Sequence, residues 1–75
     1  MSSSWKVLAS IENAEANRCV DIFIRADGTF GFEEYRRDPE DAGSWTLVGY
    51  HAHHVHATRD EATAAARTVV AWLAD

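Results

Sequence analysis

Ala26-Asp27-Gly28 stands between two runs rich in β-branched and aromatic residues, 19–25 and 29–37. A short Asp-Gly link between such runs closes an antiparallel hairpin. Two registers compete. A two-residue loop sets Ile22 opposite Glu33 and Ile24 opposite Gly31, mixing apolar with charged groups. A three-residue loop with Gly28 left-handed sets Ile24 opposite Phe30 and Ile22 opposite Phe32. A one-residue slip would send a strand's whole apolar set to the wrong face, so the second register is expected.

Upstream, Trp5, Val7, Ala9 and Ile11 alternate with Lys6, Leu8, Ser10 and Glu12, the period of a strand with one face toward a core. Asn13 to Asn17 break that alternation and suit a turn. Residues 38–44, with Pro39 and Gly43, read as an exposed loop. Residues 45–50 resume β character, with large apolar groups in both alternating sets and therefore an ambiguous facing. Farther on, Thr58-Arg59-Asp60-Glu61 fits a capping box. Ala62, Ala65, Ala66, Val69, Val70 and Leu73 then recur at helical steps, predicting a helix from Arg59 to about Ala74.

The expected fold is α+β: an antiparallel β-meander of three to four strands with one C-terminal helix packed on one face, two layers in a single domain over residues 1–75. Its expected core joins Trp5, Val7, Ile11, Val20, Ile22 and Ile24 to Phe30, Phe32, Ala62, Ala66, Val69 and Leu73. That core is thin, because thirteen of the chain's apolar residues are alanine. A 75-residue chain buries only about 60% of its unfolded surface, which favours association.

Charge narrows the partners. Seven Lys+Arg against twelve Asp+Glu give a net charge of -5, which repels nucleic-acid phosphates and anionic membranes at long range. The six arginines form no basic stripe. Cys19 is the only cysteine, so there is no internal disulfide to staple a secreted domain. Met1 to Trp5 show neither a basic leader nor an apolar run, and a reduced, cytoplasmic protein is expected.

One helix covers one sheet face, leaving Leu8, Phe23, Arg25, Tyr35 and Arg37 on the other as an expected interaction surface. The outer side of the helix, with Ala64, Arg67 and Ala71, carries a single charge and suits a partner chain, as in a homodimer. All four histidines fall within His51-Ala52-His53-His54-Val55-His56. In an extended chain, imidazoles at i and i+2 share a side, so His51 with His53, or His54 with His56, could share a divalent metal. The spacing lacks the frame of a structural zinc site, and the leading reading is a solvated connector between the fourth strand and the helix. No nucleophile elbow, phosphate-cradling glycine loop or His-Glu-x-x-His helix occurs, and Glu33 and Glu34, interleaved with Arg36 and Arg37, read as a solvated patch. No enzyme and no required cofactor is expected.

Phe30-Gly31-Phe32-Glu33-Glu34-Tyr35-Arg36-Arg37-Asp38-Pro39-Glu40-Asp41, followed by Trp45 and Asp60-Glu61-Ala62, resembles small bacterial proteins of this size, a resemblance that brings no activity with it. Three strands followed by a helix opening Thr58-Arg59-Asp60-Glu61-Ala62 is also similar to the AP2-type DNA-binding domain. That likeness implies DNA reading by arginines on the strands. Here Asp21, Glu33 and Glu34 stand beside Arg25 and Arg37 and oppose it. The function expected is a non-enzymatic binding module that self-associates, with a histidine metal site as the alternative.

Overall fold

The computed structural model describes residues 5–38, 43–49 and 51–74; most of the expected 38–44 loop, and the end of the fourth strand at residue 50, lie outside them. Strands β1 (Lys6–Glu12), β2 (Arg18–Ile24), β3 (Phe30–Arg37) and β4 (Trp45–Gly49) form one open antiparallel sheet in sequence order. Helix α1 (Arg59–Val69) packs on the two central strands, and a 3-10 turn (Ala71–Ala74) follows it. The arrangement is α+β in two layers.

The central hairpin takes the three-residue loop. Ile24 pairs with Phe30 and Ile22 with Phe32. Gly28 has φ 87°, its N–H donating to the Arg25 carbonyl at 3.0 Å, while the Arg25 N–H donates to the Thr29 carbonyl at 2.8 Å. The left-handed backbone there is one that glycine adopts without a Cβ penalty. The Asp27 carboxylate accepts from both the hydroxyl and the N–H of Thr29, at 2.7 and 3.0 Å, and these bonds hold its pKa below the ordinary range.

Val20, Ile22 and Phe32 project from the sheet onto Ala62, Ala66, Val70 and Leu73, all buried, with Ala9, Ile11 and Phe30 at the margin. Ala62 and Ala66 are 0% exposed, since their small side chains let the α1 backbone lie close over β2 and β3. The Thr58 hydroxyl accepts from the Glu61 N–H at 3.1 Å, as a capping box requires. The return bond goes one residue farther back than expected, from the Ala57 N–H to the Glu61 carboxylate at 3.1 Å.

Four expected core positions are corrected, one of them Ile24, which is half-buried and stands outside the core cluster. Trp5 and Val7 belong to the reverse face, because the register of β1 shifts between Val7 and Ala9: Val7 pairs with Phe23 and Ala9 with Ile22. The extra residue, Leu8, turns the strand over, as a β-bulge does. Val69 is 56% exposed and Val70, at 2%, takes the core position instead. Helix α1 ends eleven residues from its start, in the β-branched run Thr68-Val69-Val70, which loses rotamer freedom in a helix. Val70 is extended, its N–H still donating to Ala66 at 2.8 Å, and the following 3-10 turn returns Leu73 to the core.

Candidate functional site

Odd-numbered residues of β2 and β3 face away from α1, and half of that reverse face is covered by the protein itself. Phe23 is 1% exposed. Its ring stacks under Trp5 with centroids 4.0 Å apart, the Arg25 guanidinium lies 5.0 Å from its centroid, and it reaches across Gly31, where a Cβ would stand 2.8 Å from the ring. Phe23 is therefore a second small core and not the exposed interaction residue expected. A glycine inside an otherwise apolar strand is the signal that announces such a close approach.

Arg25 is spent in the same way. One guanidinium nitrogen donates to the Thr29 hydroxyl and the Phe30 carbonyl at 3.3 and 3.1 Å, and the other to the carbonyls of Ala52 and His54. Glu33 is 5% exposed, and its two carboxylate oxygens each accept a backbone N–H at 3.0 Å, from His51 and Ala52. The expected solvated Glu33-Glu34 patch is thus overturned. Glu33 and Arg25 fasten the histidine segment to the sheet edge, while Glu34, on the helix side, accepts from the Trp72 indole at 3.0 Å and from Arg18 at 3.5 Å.

The rest of the reverse face is an open trough of about 240 Å³ lined by Ser10, Glu12, Cys19, Asp21, Tyr35 and Trp45. Asp21 is its centre, accepting from the Ser10 hydroxyl at 2.7 Å and from the Cys19 thiol at 3.4 Å. Burial, followed by the Asp21 hydrogen bond and the charges of Asp21 and Glu12, pushes the Cys19 thiol up to about 12. Burial, then the charges of Asp21 and Glu33, also raises Tyr35. Burial thus keeps both groups protonated, and the carboxylates beside them act in the same direction. Neither the thiol nor Ser10, bonded to a carboxylate with no imidazole in the trough, is set up as a nucleophile.

Of the other expected interaction residues, Arg37 donates to the Ala16 carbonyl at 2.7 Å and lies 4.7 Å above the ring of Trp45, a trough residue. Leu8 is half-buried at the bulge, and Ala64, Arg67 and Ala71 are exposed along the outer helix side.

The histidine segment is not extended. His54 N–H turns back to the His51 carbonyl at 3.1 Å, and His56 bridges to Phe30 through bonds of 3.0 and 2.9 Å. The extended backbone on which the i and i+2 pairs were expected is therefore absent there. His51 and His56 stack on Phe32 with centroids 4.9 and 6.2 Å apart, and His53 lies against His54 at 4.1 Å. Among the described residues, no group of three or more His, Cys, Asp or Glu side chains is placed to hold a metal ion. Instead His51, His54 and His56 line a pocket of about 360 Å³ against Ala65, Thr68 and Val69 of α1.

No family model matches the chain, and neither a curated protein nor a solved structure matches it. Among the described residues no helix is long and apolar enough to cross a membrane.

Proposed function

We propose that the protein is a non-enzymatic binding module whose trough on the uncovered sheet face takes a basic side chain of a protein partner. The observation that carries this reading is the pairing of an acidic floor, Asp21 and Glu12, with the aromatic walls of Tyr35 and Trp45. A guanidinium or ammonium gains from both, by charge at the floor and by cation–π attraction at the rings. Trp45 remains 38% exposed although Arg37 already covers it, which leaves ring surface for a partner.

Titration with an arginine-rich peptide and with its glutamate counterpart tests the reading. The basic peptide should bind, and Asp21→Asn or Trp45→Ala should each weaken it by about tenfold, the order expected for one lost charge or ring contact. Equal binding of both peptides, or binding indifferent to both substitutions, would overturn it.

Self-association is a second reading, favoured by the exposed Ala64 and Ala71 of the outer helix side and by Val55 and Val69, which stand 64% and 56% exposed. A free Cys19 fits a reducing compartment, and we take the protein as cytoplasmic and bacterial. DNA reading finds less support, since Arg25 and Arg37, the strand arginines it would use, are engaged within the protein.

A further inference from the structure

We propose that the pocket between the histidine segment and α1 is a second binding site, for a small neutral aromatic molecule bearing a hydrogen-bonding group. The pocket opens on the helix side of the sheet, remote from the trough, and stands or falls independently of it.

Size sets the first limit. A volume of about 360 Å³ lies at the low end of the roughly 300–1,000 Å³ typical of small-molecule sites, so one or two fused rings fill it. The lining sets the shape. Phe32 with the His51 and His56 rings, inclined to it by only 24° and 28°, presents flat aromatic surfaces on one side. Ala65 and Val69 supply aliphatic contact on the other. A planar ring fits between such walls.

Charge settles the rest of the chemistry. Among the described residues no carboxylate and no Lys or Arg lines the pocket, so a cation or anion held there would lack a compensating charge. The net charge of -5 further opposes an anion. Neutral imidazoles both donate and accept. One of them is already short of a partner: Nε2 of His56 is buried with no hydrogen bond among the described residues, a state that costs stability until something bonds to it. His56 also lines the pocket, and a ligand hydroxyl or ring N–H supplies that bond once the ring turns its buried edge toward it.

The probe is indole, with cyclohexanol and benzoate as controls, read from the histidine ring-proton shifts in an NMR titration of the whole chain. Indole should shift His51, His54 and His56 saturably with Kd of about 1 mM or tighter, and the controls should not. His54 and Thr68 are exposed, so His54→Ala and the pocket-filling Thr68→Phe can be introduced without opening the core. With melting behaviour retained, each should weaken indole at least about tenfold. Absence of saturation, equal response to cyclohexanol or benzoate, or binding that survives both substitutions would overturn the proposal. Because neither variant touches the trough, peptide binding there should be unchanged.

Discussion

At the scale of single residues, two side chains on the reverse face carry most of the consequence. Gly31 has no room for a Cβ, which would meet the Phe23 ring at 2.8 Å and an Arg25 nitrogen at 2.7 Å. Gly31→Ala should therefore destabilise the fold by about 1–3 kcal/mol, the usual cost of overpacking, measured by urea denaturation. A stable variant would show that the ring shifts freely. Cys19 offers a different test. With its thiol near 12 and its side chain buried, alkylation at about pH 8 should be roughly a hundred-fold slower than for a small free thiol. The raised value also has a stability sign. Between the ordinary 9.0 and about 12, the unfolded chain has lost the proton and the folded chain keeps it. The Cys19 contribution is thus whole below pH 9 and fades toward 12. Chemical denaturation of the wild type and Cys19→Ser should show their stability difference shrinking as pH rises through that window.

At the scale of elements, the histidine segment is the least self-sufficient piece of the chain. Among the described residues its one bridge to a strand is at His56; Glu33 accepts the His51 and Ala52 N–H groups, and Arg25 donates to the Ala52 and His54 carbonyls. Glu33→Ala orphans two N–H groups at once and should cost about 2–4 kcal/mol. Amide exchange should then speed up at His51 and Ala52 far more than along β2; uniform acceleration would mean the segment had no separate anchorage. The strands and α1 were readable because their causes are local: Gly28 sets a turn, Thr58 sets a cap, and alternation marks a face. The bulge at Leu8 was not, since Trp5, Val7, Ala9 and Ile11 alternate without a break and nothing local betrays that the strand turns over between Val7 and Ala9. The end of α1 hides in the same way, because Val69 and Val70 both satisfy a helical stripe and only packing selects Val70.

At the scale of the whole molecule, the chain is a flat body measuring 37 × 33 × 17 Å, one sheet with one helix laid upon it. Such a shape leaves much surface per residue and places two hollows on opposite sides, the acidic trough and the histidine pocket. A net charge of -5 should make binding of a basic peptide weaken as salt rises from about 50 to about 300 mM, because screening shortens the reach of the field. Binding of indole should be indifferent to the same change. A salt-independent peptide affinity would point to apolar contacts alone. Sedimentation across a concentration series reads the outer helix side separately, and Ala64→Lys should abolish any dimer formed there.

The amino-acid sequence by itself determined the antiparallel hairpin and its register, the start of the helix, and the sheet face that the helix covers, because turn, cap and periodicity act over a few neighbouring residues. Only the tertiary structure decided that Phe23 is a core residue, that Glu33 and Arg25 bind the histidine segment, and that three imidazoles line a pocket against α1. Those outcomes depend on which distant groups share a face once the strands are paired, and on buried hydrogen-bonding groups having to find partners wherever the fold brings them.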